Sequence, residues 1–256
     1  MKKILLTLVT GGLVFASGIN TAIAQDDDDS AAAVEIYTCS YADGKGAADL
    51  DKVIAKWNKW ADDQGMADYS AWTMTPFYSS AEQDFDVIWL GATETGKGMG
   101  AGQDMWLAKG GTLGDEFDSV IPCDAHSMHA AVEFKAPPKR EDPSSSFVLD
   151  FSDCKIGDGK HFSTDVAPAL KAWSEFRAEH GSTAGIWAFF PVYGGGGEEY
   201  DFKYVVSHGN YSEQGADFDN YDPAKAREIF PYGMLDCDSS RSYIATSRRS
   251  AESDDE

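Results

Sequence analysis

Cys39 and Cys154 stand 115 residues apart, and around them the chain of 256 residues repeats itself. Asp43-Gly44-Lys45 returns at that offset as Asp158-Gly159-Lys160. Trp72, Pro76, Tyr78, Asp86, Gly100-Ala101 and Asp104 return as Trp187, Pro191, Tyr193, Asp201, Gly215-Ala216 and Asp219. One residue of slippage sets the offset to 116 for Asp49, Trp57 and Gly65 against Asp165, Trp173 and Gly181, and Cys123-Asp124 return as Cys237-Asp238 at 114. Coincidence does not place so many Trp, Cys and Pro residues at one slowly drifting offset. The chain is a tandem duplication, and its fold must be built from two like units.

Each unit opens on an apolar run, Val34 to Thr38 and Phe147 to Phe151, that reads as a strand. Leu50, Val53, Ile54, Trp57, Trp60 and Ala61 then form one stripe of an amphipathic helix, which Val166, Ala169, Leu170, Trp173 and Phe176 repeat, so these aromatics are expected in a core. Asp49 and Asp165 are placed to cap the helix starts, and Gly65 and Gly181 to end them with φ > 0. Two more strands follow, Tyr69 to Thr75 and Phe85 to Leu90, matched by Gly185 to Phe190 and Tyr200 to Val206, with Gly194-Gly195-Gly196-Gly197 as a turn. A loop and a short helix come next, clearest where Asp222 caps Pro223 and Ala224 to Phe230. The last strands fall around Ala125 to Phe134 and Ser242 to Ser247.

The order β-α-β-β-α-β is the split βαβ, ferredoxin-like motif. Four cysteines allow three pairings, and spacing alone does not choose. In this motif the first and last strands are antiparallel neighbours, which brings Cys39 to Cys123 and Cys154 to Cys237, one staple per unit. The strands are apolar on both faces, with Ile186, Ala188 and Phe190 on one and Trp187 and Phe189 on the other. Two such units resemble the ferredoxin-like dimeric α+β barrel superfamily in tandem form, over about residues 34–134 and 147–247. That resemblance implies an α+β fold in which two βαββαβ units pack sheet to sheet as a pseudo-two-fold barrel, helices outside, around a cavity. It also implies a chemistry no narrower than the superfamily's, which includes cofactor-free monooxygenases, haem-handling enzymes and isomerases.

The ends read differently from the units. Lys2 and Lys3, an apolar run from Ile4 to Val14 and Thr21-Ala22-Ile23-Ala24 have the layout of a secretory signal peptide over 1–24. An acidic arm over 25–33, unit one over 34–135, a Pro- and Ser-rich linker over 136–146, unit two over 147–247 and an acidic tail over 248–256 complete the expected layout, with arm and tail disordered. The expected compartment is the periplasm or the extracellular space, where disulfides persist. With 43 acidic against 21 basic residues the net charge is −22, which excludes a nucleic-acid partner and gives no footing on an anionic membrane. No membrane insertion is expected once the signal is cleaved, and the pseudo-dimer within one chain implies a monomer.

No motif names a reaction or a cofactor. Gly91-Ala92-Thr93-Glu94-Thr95-Gly96-Lys97-Gly98 has the spacing of a phosphate-binding loop but carries Gly98 where Ser or Thr would hold Mg²⁺, so it reads as a flexible loop. His126 and His129, beside Cys123, point to opposite faces of a strand and make no metal site. Asp217, Asp219 and Asp222 lack the register of a Ca²⁺ loop, Asp43-Gly44-Lys45 and its repeat read as turns, and no metal is expected. The aromatics are more suggestive: Trp72, Trp89, Trp187 and Tyr204 lie on strands and are expected to line a barrel cavity that binds a small, partly apolar molecule. His208, at the end of the third strand of unit two and opposite Thr93 in the repeat, is the candidate acid, base or haem ligand of an enzyme reading. A third expectation is a structural or envelope-interaction protein with a filled barrel.

Overall fold

The computed structural model describes residues 31–81, 83–139 and 146–251. The expected signal peptide, and residues 25–30, 140–145 and 252–256 of the expected arm, linker and tail, lie outside them. Unit one contains β1 (Ala32–Cys39), α1 (Ala47–Gln64), β2 (Ser70–Tyr78), β3 (Val87–Thr93), α2 (Gly96–Lys109), α3 (Gly111–Asp118) and β4 (Cys123–Lys135). Unit two contains β5 (Phe147–Ile156), a π-helical turn (Phe162–Val166), α4 (Ala167–Glu179), β6 (Gly185–Tyr193), β7 (Phe202–His208), α5 (Tyr211–Asp219), α6 (Pro223–Ile229), β8 (Leu235–Cys237) and β9 (Arg241–Arg249).

The strand order is β7-β6-β4-β1-β3-β2-β9-β5-β8, and β5 also pairs with β7, so eight antiparallel strands close into a barrel while β8 extends the pairing of β5. Each unit contributes a ferredoxin-like sheet, β4-β1-β3-β2 or β9-β5-β7-β6. The outer strands of the two sheets find one another as β2 with β9 and β4 with β6. Closure leaves no unpaired edge around the ring, the liability that a four-stranded sheet alone would carry.

Period-2 alternation sorts the side chains. Val34, Ile36, Met74, Ile88, Leu90, Leu149, Phe151, Phe189, Val205, Tyr243 and Ala245 pack inside the barrel. Ala33, Val87 and Trp89 face outward under α1, α2 and α3 with Leu50, Val53, Ile54, Trp57 and Ala61 of the α1 stripe. On unit two Ala188 and Phe202 meet Val166 and Leu170. Both faces of every sheet are covered, which is why the strands read as continuous apolar runs; each fully buried aliphatic contributes about 1.5–3 kcal/mol. Trp57 is buried, whereas Trp60, Trp173 and Phe176 are half-buried at the helix margins.

The repeated residues outside the core hold turns. Asp86 Oδ2 accepts from the Tyr41 amide at 2.8 Å, and its repeat Asp201 accepts from the Ile156 amide at 2.6 Å, tying down the chain after β1 and after β5. Gly44 and Gly159 take φ of 72° and 71° in the Asp-Gly turns, and Gly65 and Gly181 follow their helices at 71° and 87°. Asp222 caps α6 by accepting from the amides of Ala224 and Lys225.

Three local expectations are corrected. Asp49 is not the cap of α1: the helix starts after Gly46, and Asp49 sits in its first turn beside Lys52. Asp165 is likewise inside its turn, reaching back to the His161 amide at 3.1 Å. The segment Gly91 to Gly98 read as a flexible loop is the end of β3 and the start of α2, which is capped by Thr95, whose hydroxyl accepts from Gly98 N at 3.0 Å. Its glycines permit close contact: a Cβ on Gly98 would lie 2.4 Å from Asp68 Oδ2, and one on Gly102 would lie 3.3 Å from Met66 Cε. Tertiary approach thus overrides glycine's poor helix propensity.

The register places Cys39 opposite Cys123 and Cys154 opposite Cys237, and both pairs are disulfides. Peptide mapping without reduction is expected to recover these two pairs. Replacing Cys154 and Cys237 together by serine opens a loop of sequence separation 83 and is expected to lower the unfolding free energy by about 4 kcal/mol in the chain-entropy account, measured by chemical denaturation.

Candidate active site

The outer face of unit one does not close completely against its helices. Between β1, β3 and β4 below and α1, α2 and α3 above lies a cleft of about 470 Å³, walled by Trp57, Trp60, Trp89, Trp106 and Phe117. At its base stands Glu35, a carboxylate 3% exposed on the helix-facing side of β1. Burial of an unpaired charge would be prohibitive, and Glu35 is fully engaged. Tyr69 Oη donates to Oε1 at 2.5 Å, Gln103 Nε2 donates to Oε2, and His126 Nε2 meets Oε2 at 2.9 Å.

Each partner is held in turn. Trp89 Nε1 donates to Tyr69 Oη at 3.1 Å, and the His126 ring stacks on Tyr37 at 3.6 Å between centroids. Burial and the neighbouring Glu35 charge push the Tyr69 phenol well above its ordinary pKa, so it stays a donor. Tyr37 is raised for the same two reasons. Gly91, paired with Glu35 across β1 and β3, makes the arrangement sterically feasible: a Cβ there would lie 1.9 Å from Tyr69 Oη and 2.9 Å from Glu35 Oε1. The His126 side chain is 43% exposed, so the pair joins a buried carboxylate to an imidazole that solvent or a ligand can reach.

The equivalent face of unit two is built differently. Asp150 pairs with Val206 where Glu35 pairs with Gly91, and its carboxylate accepts from Ser242 Oγ at 2.5 Å, from Gln214 Nε2 at 2.8 Å and 2.9 Å, and faces His208 Nε2 at 3.3 Å. His208 Nδ1 faces Asp217 at 3.5 Å, and Asp217 is also bound by Arg177 and by Ser182 Oγ. Burial raises the Asp150 pKa, but the hydrogen bonds from His208, Ser242 and Gln214 outweigh it and hold the carboxyl below its ordinary value.

His208 is therefore buried on the helix-facing side of β7, not at an open rim, with both ring nitrogens turned to carboxylates. The expectation that four aromatics share one lumen is also corrected. Trp72 and Trp187, repeat equivalents, do line the barrel mouth. Trp89 and Tyr204, also repeat equivalents, point outward, Trp89 into the unit-one cleft and Tyr204 into the apolar layer under α4, where burial raises its phenol pKa. His126 and His129 do occupy opposite faces: His126 lines the cleft, and His129 packs inside the barrel near Phe189. Among the described residues no three His, Cys, Asp or Glu side chains are grouped to hold a metal ion.

Sequence reasoning missed Glu35, Tyr69 and Gln103. A signal was present, since Glu35 and Asp150 are acids at the 115-residue offset inside strands otherwise apolar on both faces.

No family model and no curated protein matches the chain. Solved structures do resemble it over most of its length. A candidate monooxygenase from Fusobacterium nucleatum superposes with a TM-score of 0.56 at 6% identity, covering 86% of this chain and 94% of that one. A candidate monooxygenase from Lactobacillus acidophilus gives 0.51 at 11% identity, with 86% and 95% covered. The chlorite dismutase of Candidatus Nitrospira defluvii in complex with imidazole gives 0.51 at 10%, with 85% and 91% covered. These likenesses establish the fold class: the chain is a ferredoxin-like α+β barrel, the architecture shared by chlorite dismutase-like proteins and these monooxygenase candidates.

Haem, which the resemblance to haem-handling barrels raises, finds no axial ligand in the lining of the barrel mouth. Haem iron is held in proteins by a His, Cys, Met or Tyr side chain that reaches it. Among the described residues the barrel mouth is lined by no His, Cys, Met or Tyr, and the interior His129 is not part of that lining; His208 has both nitrogens on carboxylates, and His126 directs Nε2 at Glu35.

His129 is 1% exposed, and neither ring nitrogen has a hydrogen-bond partner among the described residues. Burial, helped by Lys203, lowers its pKa from 6.5 to about 4. Unfolded His129 takes up a proton near pH 6.5 and the folded one only near 4. The resulting stabilisation is complete above pH 6.5 and is lost as pH falls toward 4, by up to about 3 kcal/mol. Denaturation at pH 7 and pH 4.5 is expected to show a smaller acid loss for His129→Leu than for the wild type.

Proposed function

We propose that the chain is an exported enzyme that binds a small, largely apolar aromatic molecule in the unit-one cleft and oxygenates it without a bound cofactor. The observation that carries this reading is the buried Glu35 carboxylate facing His126 at the base of a cleft walled by four tryptophans. Aromatic walls suit a flat apolar substrate, and the few polar groups at the base orient it. Glu35 accepts from Nε2–H of His126, which leaves Nδ1 as the proton-accepting atom, and the carboxylate stabilises the imidazolium that forms. Deprotonation of a hydroxyl or an acidic C–H leaves an electron-rich anion that can reduce dioxygen, the co-reactant. One oxygen atom enters the substrate, and the other leaves as water with the two hydrogens removed. Tyr69 and Gln103 hold Glu35 in place.

The monooxygenase candidates of the same fold support the reaction class, and the two disulfides support export to an oxidising compartment. Among the described residues no helix is long and apolar enough to cross a membrane. The small ligand expected in a barrel cavity is thus assigned to a cleft outside the barrel wall, with Trp89 as the member of the expected set that it would touch.

The test is oxygen uptake together with quenching of tryptophan emission, using a panel of two- and three-ring hydroxyarenes. Glu35→Gln and His126→Ala are each expected to lower kcat by about 100-fold or more while ligand affinity changes by less than about threefold. Turnover by Glu35→Gln at the wild-type rate would contradict the acid–base assignment. Quenching without oxygen uptake by any member would reduce the reading to a ligand-holding protein.

A further inference from the structure

The barrel interior is filled at one end and hollow at the other. Met74, Ile88, Phe151 and Tyr243 pack the middle, whereas toward the mouth a cavity of about 760 Å³ opens inside the wall. Its depth is apolar, formed by Leu90, Leu149, Phe189 and Val205, and Trp72 and Trp187 flank it at equivalent positions of the two units. Charged side chains lie only at the rim, where Glu133 accepts from Trp187 Nε1 at 3.0 Å and Lys139 stands nearby.

One group in this wall is out of keeping with it. Ser207 is 4% exposed and lines the cavity, and its Oγ has no hydrogen-bond partner among the described residues. Leaving a buried hydroxyl unpaired is costly. The residue opposite, Gly185, has no side chain to offer, and a Cβ there would meet Ser207 Oγ at 2.7 Å and the Trp187 ring at 2.4 Å. The glycine therefore makes room for the Trp187 ring, which lies against the wall and helps to cover Ser207 Oγ.

We propose that the barrel mouth is a second binding site, separate from the unit-one cleft, for an uncharged, mostly apolar molecule whose single hydroxyl or carbonyl bonds Ser207 Oγ once the Trp187 ring moves aside. The volume is in the range of small-ligand cavities. A charged group carried to that depth would find no counter-ion and would be rejected, and the net charge of −22 further disfavours anions. This site does not depend on the chemistry assigned to Glu35 and His126.

The probe is 1-decanol, titrated calorimetrically into the chain beginning at Gln25, with decanoate and decylammonium as charged counterparts. Decanol is expected to bind at least about tenfold more tightly than either ion. Ser207→Ala, which removes no hydrogen bond seen among the described residues, is expected to weaken decanol about tenfold. Leu149→Trp fills the cavity and is expected to abolish binding, with Val205→Phe as the alternative filling change if the first variant fails to fold by circular dichroism. Glu35→Gln is expected to leave decanol binding unchanged, so failure here and failure of the cleft chemistry are told apart. The proposal is overturned by absence of binding up to about 1 mM, by decanoate binding as tightly as decanol, or by binding that survives the filling variants but is lost in Gly102→Trp, which blocks the cleft.

Discussion

The pairing of β2 with β9 and of β4 with β6 is the constraint from which the rest of the molecule follows. Each unit alone is a four-stranded sheet with two open edges and one bare face, an arrangement that invites association with another sheet. Joining the edges closes the ring, gives every strand a neighbour on both sides and turns the bare faces into a shared interior. Once the ring closes, strand parity leaves no choice: Ile36 and Ile88 must go in, and Glu35 and Trp89 must go out under the helices. The disulfides fasten the first strand of each unit to the segment that brings its last strand back, so they reinforce the same register.

Duplication then allowed the two outer faces to diverge. Glu35 and Asp150 occupy equivalent positions, but Gly91 opposite the first leaves room for the Tyr69 hydroxyl, and Val206 opposite the second fills that room. In unit one the carboxylate reaches toward a half-exposed histidine and an aromatic cleft. In unit two it is consumed by Ser242, Gln214 and His208, and the second carboxylate of the group, Asp217, is consumed by Arg177. The same inheritance thus supplies one face with a reachable carboxylate–histidine pair and the other with a buried network of partnered groups. Carboxylates satisfied in this way contribute rigidity and specificity more than net stability.

Much of this was legible in the sequence, and the limits have physical causes. The offset of 115 residues exposed the duplication, and the element order gave the motif, whose strand neighbours gave the disulfide pairs. Parity was harder to read, because strands covered on both faces show no alternation. Trp72 with Trp187 and Trp89 with Tyr204 were separable into repeat pairs, yet nothing in their neighbours told which pair faces in. His208 stands out in the sequence as an unmatched histidine at a strand end, and only the folded chain shows the two carboxylates that occupy it. Glu35 meets Tyr69, Gln103 and His126 from 34, 68 and 91 residues away, separations across which no local pattern operates. The glycines of α2 read as a loop because their value lies in the contacts they permit with Met66 and Asp68.

The claim that accessible chemistry is confined to unit one can be tested in one measurement, mass-spectrometric mapping of histidine acylation by diethyl pyrocarbonate at pH 7. His161 and His180 are exposed and serve as internal standards. The account predicts that His126 is modified at a rate comparable to theirs, while His129 and His208 remain unmodified in the folded chain. Modification of His208 as fast as His161, or protection of His126, would contradict it.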